Sequence, residues 1–233
     1  VTVDNVAPEI VALNLSSAVV SEHGVVTLTG LITDSGSLDP HTVVIQWGPR
    51  EGSTTIDLLA GVFFFSATHQ YLDDNPSVTS SDDYPISVTV TDDDGGSDSA
   101  ATSVNVKNVS PVIDTFSNSS SIACGATMQG QTITVAGSFG DIGTLDTHTA
   151  TIDWGDGTSS SGVVTESGGS GTVAAGHGYS SGGFFTISLT VLDDDGGLHA
   201  MTTQVVVAGI GLQSGTLIVI GTDARDQVSI EAG

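Results

Sequence analysis

Hydrophobic and polar residues alternate along much of this chain. Val25-Val26-Thr27-Leu28-Thr29, Ile187-Ser188-Leu189-Thr190-Val191 and Gln204-Val205-Val206-Val207 are runs of this kind, dominated by β-branched residues. That is the signature of half-buried strands. Clusters of Gly, Asp and Ser interrupt the runs roughly every 8–12 residues, as turns do. No stripe of apolar residues at helical spacing is present. The expected fold class is therefore all-β, built as antiparallel β-sandwiches. Along Ala150 to Trp154, the alternation puts Ala150, Ile152 and Trp154 on one face and Thr149, Thr151 and Asp153 on the other. Trp154 is expected in the core, and so is Trp47. An aromatic platform for a sugar would need exposed rings.

The pattern repeats. VTVDNVAP (Val1 to Pro8) returns as VNVKNVSP (Val104 to Pro111), a spacing of 103 residues. DSGSLDPHTVVIQWG (Asp34 to Gly48) matches DIGTLDTHTATIDWG (Asp141 to Gly155), and VTVTDDDGG (Val88 to Gly96) matches LTVLDDDGG (Leu189 to Gly197). His69-Gln70-Tyr71 matches His177-Gly178-Tyr179. The first copy carries about seven extra residues in a polar, Pro-containing stretch, Leu72 to Pro85. The expected division is 1–6 as the end strand of a preceding repeat, 7–107 and 108–208 as two sandwiches, and 209–233 as the start of a further β module. A unit of ~100 residues buries its own core.

Composition narrows the choice of partners. There are 27 Asp and Glu against 3 Lys and Arg, for a net charge of -24. Such a surface repels nucleic acid and anionic membranes. The 38% hydrophobic content, gathered in strand-like runs, argues against disorder. No stretch approaches the ~20 apolar residues of a membrane span. One cysteine, Cys124, excludes an intrachain disulfide and is expected to be buried. No G-x-S-x-G elbow, no paired zinc ligands and no carboxylate pair flanked by aromatic subsites is present, so the chain is not expected to be an enzyme.

Ile152-Asp153-Trp154-Gly155-Asp156-Gly157, followed by His177-Gly178-Tyr179 and by Val191 to Gly197, resembles the polycystic-kidney-disease-type (PKD) domain. Its W-G-D-G turn, H-x-Y and V-x-D-x-x-G elements occur together here. The leader D-x-G-x-L-D-x-H-T is similar to versions in large bacterial surface proteins. The resemblance implies an Ig-like sandwich used in adhesion or spacing, or as an accessory module of secreted enzymes. It covers residues 7–208 as two copies. The first copy departs from it: Gln46 stands for Asp153 and Pro49 for Asp156, so any role of those carboxylates is in doubt there. Asp156 is read as an Asx-type turn former or, alternatively, as a metal ligand. Gly215 to Ile230 resembles the opening turn of a hemolysin-type calcium repeat.

The densest carboxylates are Asp92-Asp93-Asp94 and Asp193-Asp194-Asp195, each between a strand and Gly-Gly. Each copy has a second pair, Asp34 with Asp39 and Asp141 with Asp146. Calcium takes six to eight hard oxygens, usually from several loops. The two loops of one copy, brought together, would supply them. The alternative is solvated turns that protect strand ends. His41, His69, His148 and His177 lack zinc spacing and are read as structural hydrogen bonders. The expected function is an extracellular or cell-surface structural or adhesive module, stiffened by calcium and part of a filament or stalk. Its partners would be neighbouring repeats or identical subunits in a homopolymer. The alternative is a carbohydrate-binding accessory region that takes glycans.

Overall fold

The alternating runs form strands throughout. A computed structural model describes residues 4–75, 77–120, 127–221 and 227–229, and the chain divides into two compact units, Val1–Val109 and Ser110–Gly233. Val1–Val3, from the leading strand expected at residues 1–6, lie outside the described residues, as does Cys124. Among the described residues all eighteen elements are β-strands.

The first unit contains β1 (Glu9–Leu15), β2 (Val19–Ser21), β3 (Val25–Thr33), β4 (His41–Gln46), β5 (Ser53–Leu58), β6 (Phe64–Gln70), β7 (Ser81–Asp92) and β8 (Ser97–Lys107). One sheet has the order β1-β3-β6 and the other β2-β8-β7-β4-β5. Every second residue points inward, so Val26, Leu28, Val43, Ile45, Val88, Val90, Val104 and Val106 pack around Trp47. The second unit contains β9 (Val112–Asn118), β10 (Thr127–Met128), β11 (Thr132–Gly140), β12 (Thr149–Asp153), β13 (Ser159–Ser161), β14 (Val163–Ser167), β15 (Ser170–Gly178), β16 (Gly183–Leu192), β17 (Leu198–Gln213) and β18 (Thr216–Ile220). Its sheets run β14-β15-β11-β9 and β10-β17-β16-β12-β13, with β18 on β17. Ile133, Val135, Ile152, Ile187, Leu189, Val205 and Val207 enclose Trp154. Both indoles are 1% exposed.

β17 runs past residue 208 without a break and folds back as β18, through a two-residue turn in which Ser214 and Gly215 both have positive φ. That is the tight hairpin connection whose twist matches the strands it joins. Of the stretch that resembles a calcium repeat, Thr222–Asp226 and Ile230 lie outside the described residues.

The units differ at one strand. β5 stays on β4 along its whole length, from Ser53 to Leu58. In the second unit the matching stretch stops pairing with β12 at Ser161 and continues as β14 on the other sheet, antiparallel to β15. Gly162 makes the crossing. Its amide still donates to the Ala150 carbonyl at 2.9 Å, but a Cβ there would meet Val173 Cγ1 at 2.5 Å and Ala150 Cβ at 3.1 Å. The first unit has Ile56 at this place, partly buried against its core, and its strand does not turn away.

Candidate cation-binding loops

Each unit brings its two acidic loops together. The D-D-D-G-G loop is closed by its first Asp. The Asp92 amide donates to the Gly96 carbonyl at 3.0 Å, and Asp92 Oδ1 accepts the amides of Asp94 (3.1 Å) and Gly96 (2.7 Å). Asp193 repeats this: its amide reaches the Gly197 carbonyl at 3.1 Å, and its Oδ1 accepts from Asp195 (3.0 Å) and Gly197 (2.7 Å). Both glycines are required. Gly95 and Gly196 adopt φ near 90°, and a Cβ on Gly96 or Gly197 would run into the capping carboxylate. Asp92 Oδ2 also accepts from Asn5 Nδ2 at 2.9 Å, and that bond holds its carboxyl below the usual range against the effect of burial.

The leader loop is built alike in both units. Asp34 Oδ1 accepts from the Gly36 amide (2.7 Å) and its Oδ2 bonds His41 Nε2 (2.9 Å). Asp141 Oδ1 accepts from Gly143 (3.0 Å) and its Oδ2 bonds His148 Nε2 (3.0 Å). These four side chains are buried, so the histidines do serve as hydrogen-bond partners. His148 has a further partner: its Nδ1 lies 2.8 Å from Glu166 Oε2, on β14, and its amide donates to Glu166 Oε1 at 3.1 Å. His41 Nδ1 is buried with no hydrogen-bond partner among the described residues.

The carboxylates that meet are not the same pair by pair. In the first unit, oxygens of Asp39, Asp93 and Asp94 lie within 4.8 Å of one another, on a partly exposed rim. Asp34 and Asp92 are outside that group, although their counterparts Asp141 and Asp193, with the same hydrogen bonds, belong to the group of the second unit. In the second unit the group is Asp141, Asp146 and Asp193, all at least partly buried. Asp194 ties the two loops together, its Oδ1 accepting from the Thr147 amide at 2.8 Å. Asp195 is 5% exposed. Crowding acts on Asp39: burial first, then Asp93, Asp34, Asp94 and Asp92, push its carboxyl above the usual range. Three carboxylates, with no thiol in either group, make a hard-oxygen donor set that suits calcium better than zinc.

A second constellation occupies the W-G turn. In the second unit, the His177 ring stacks on Trp154 at 4.8 Å and meets Tyr179 edge-on at 4.7 Å. The Tyr179 hydroxyl donates to the Trp154 carbonyl at 2.8 Å, and Trp154 Nε1 donates to Ser160 Oγ at 3.0 Å. Asp156 Oδ1 accepts the Thr158 amide at 3.0 Å, and its Oδ2 lies 2.8 Å from His177 Nε2. Asp153 Oδ1 accepts from Gly155 at 2.9 Å. In the first unit His69 stacks on Trp47 at 4.9 Å, and the Tyr71 hydroxyl donates to the Trp47 carbonyl at 2.9 Å. The partner of His69 is Glu51, with Oε2 at 2.8 Å from Nε2. The carboxylate missing at Pro49 is thus replaced from two residues later. Sequence reading missed this; the Glu in Trp47-Gly-Pro-Arg-Glu51 is the signal. Burial raises both Tyr71 and Tyr179 hydroxyls above their ordinary range. Neither tryptophan is available as a sugar platform.

Two packed, mainly antiparallel sheets closed by a buried Trp and a Tyr-to-backbone bond define an Ig-like β-sandwich module. Residues 108–208 match the model of the PKD domain, which is a non-catalytic module typical of extracellular and surface proteins. No curated protein matches the chain. Among solved structures, the ICAM-5 D1–D4 ectodomain fragment is 16% identical over 87% of this chain and 54% of its own, with a TM-score of 0.46. The Yersinia pseudotuberculosis adhesin InvE is 13% identical over 84% of this chain and 58% of its own, with a TM-score of 0.41. The chain thus spans less than two thirds of either. Among the described residues, no helix is long and apolar enough to cross a membrane.

Proposed function

We propose that the chain is a structural or adhesive module of an extracellular protein, stiffened by calcium bound between the two acidic loops of each unit. The observation that carries this is the convergence, twice, of carboxylates from both loops to within 4.8 Å. Like charges at that distance repel unless a cation screens them. Asp141, Asp146 and Asp193 would hold the ion in the second unit, and Asp39, Asp93 and Asp94 in the first. The ion would supply charge neutralisation and a cross-link between loops that are separate in sequence. A ligand that binds only the folded form raises stability in proportion to its occupancy. Calorimetric titration with calcium, paired with thermal melts, tests this. The expected result is heat of binding and a melting temperature that rises with calcium and falls on chelation. An unchanged melt and no heat overturn it. Asp146→Asn should remove the tighter component, because the second site is the more buried.

A further inference from the structure

A chain with net charge -24 carries carboxylates on most of its longer sheet edges, and two of those edges lack them. Among the described residues, the strands that end a sheet and have five or more residues are β1, β5, β6, β9, β14 and β18. Four carry an acid: Glu9 on β1, Asp57 on β5, Asp114 on β9 and Glu166 on β14. An edge charge blocks pairing with another chain. β6 reads Phe-Phe-Ser-Ala-Thr-His-Gln and β18 reads Thr-Leu-Ile-Val-Ile, with no Asp, Glu, Lys or Arg in either.

Both edges are also apolar, and among the described residues no further strand pairs with either. The Ile32 amide donates to the Phe63 carbonyl, which fixes the alternation: Phe65, Ala67 and His69 face β3, and the backbone groups of Phe64, Ser66 and Thr68 face outward. In the second unit the counterparts of Phe64 and Ser66 are Thr172 and Ala174. They are covered, paired with Thr165 and Val163 of β14. Among the described residues the first unit makes no such strand, so a five-residue antiparallel strand pairs at this edge in one unit and none does in the other. Beside it, Leu31 and Phe64 face each other across the strands, 46% and 55% exposed. β18 is itself five residues long, and Leu217, Val219, Leu212 and Ile210 form an exposed apolar face on its hairpin.

We propose that β18 of one copy pairs antiparallel with the open edge of β6 in a second copy, in the position β14 takes on β15. Backbone hydrogen bonds would supply the affinity, as in strand addition generally. The two edges are different surfaces on different units, so the contact is head-to-tail. Each added copy presents a fresh β18 or β6, so the proposal is for an open series of copies, and a product that stops at the dimer would overturn it. Absence of charge on both strands lets two strongly acidic chains meet there, and salt should favour the contact by screening the rest.

The test is sedimentation velocity of the full chain over a concentration series in high salt, with and without chelator. The expected result is a series of species extending beyond the dimer, in both conditions if the contact is independent of calcium. Ser66→Asp and Leu217→Asp, both on exposed positions, should each reduce it to monomer. An equimolar mixture of the two variants should give dimers and nothing larger, because one keeps only its β18 edge and the other only its β6 edge. Thr68→Pro, which removes an outward amide from an edge strand, provides a second disruption of β6. Wild-type chain that stays monomeric at every concentration overturns the proposal. So does assembly that survives Leu217→Asp, which would place the contact elsewhere.

Discussion

The two units solve the same problems with different residues. Each stacks a histidine on its buried tryptophan and fastens that histidine with a carboxylate at 2.8 Å. The second unit uses Asp156, inside a tight turn with Gly155 and Gly157 both at positive φ. The first has a turn one residue longer, rigid at Pro49 and left-handed at Arg50, and uses Glu51. The longer turn carries the carboxylate further from the tryptophan, and the longer side chain of Glu reaches back. What is common to the units is a position in space, and the sequence position that supplies it is free to move. The acidic loops teach the converse. There the sequence positions match, yet the carboxylates that converge are Asp39, Asp93 and Asp94 in one unit and Asp141, Asp146 and Asp193 in the other.

The largest expected effect follows from the sheet switch. Gly162→Ile gives the second unit the residue of the first at Ile56. The new side chain would overlap Val173 and Ala150, and overpacking of this kind costs about 1–3 kcal/mol. Releasing β14 from β15 would relieve it, because Val173 lies on β15. Urea denaturation should show the loss of stability, and amide exchange at Thr172 and Ala174 should quicken to the rate of an open edge. Unchanged exchange at those two amides would mean that Gly162 does not direct the crossing.

The carboxylate swap gives a smaller effect. Glu51→Gln and Asp156→Asn each remove the charge from a bond to histidine that is largely but not fully buried. A charge-assisted bond is worth about 1.5–3 kcal/mol when buried, and solvent reduces these two to about 1 kcal/mol each. The losses should be similar in the two units, read as changes in the denaturation midpoint. Restoring an Asp at the lost position, Pro49→Asp in the Glu51→Gln background, should not recover the loss, because the turn is one residue too long. Full recovery would show that sequence position, not reach, sets the partner.

Much of this was legible in the sequence, for reasons specific to each element. The period-2 runs and the matched Trp47 and Trp154 place the core, since a strand's side chains have only two directions. The D-D-D-G-G loops announce tight turns because Gly-Gly supplies the positive φ. The fate of their acids was hidden. Asp92 and Asp193 look like exposed charges in the sequence, but each folds back onto the amides of its own loop. Neither the switch at Gly162 nor the run of β17 through residue 208 leaves a periodic signal. The first depends on contacts with Val173 and Ala150, which belong to other strands. The second depends on Ser214 and Gly215, which form a turn only when Gln213 and Thr216 pair across it.

Acid should separate the units by the smallest margin. An unfolded Asp titrates near about 3.9. Folded Asp156 lies below that value: burial opposes this, but hydrogen bonds from Thr158 and His177 outweigh it. Its contribution is complete above the unfolded value and disappears as pH falls through the folded one. Asp39 has the opposite sign. Its folded carboxyl holds the proton more tightly, so its ionisation costs stability, and acidification relieves that cost before Asp156 begins to lose its own. Asp92, held low by Asn5, offsets Asp39 only at the acid end. Without calcium, the second unit should therefore lose stability below about pH 4 more steeply than the first. The indole N–H signals of Trp47 and Trp154 report the units separately in a heating series at stepped pH. If the Trp47 signal fails first as pH is lowered, the ordering of Asp39 and Asp156 is reversed, and the crowded rim of the first unit is held together by its charges instead of strained by them.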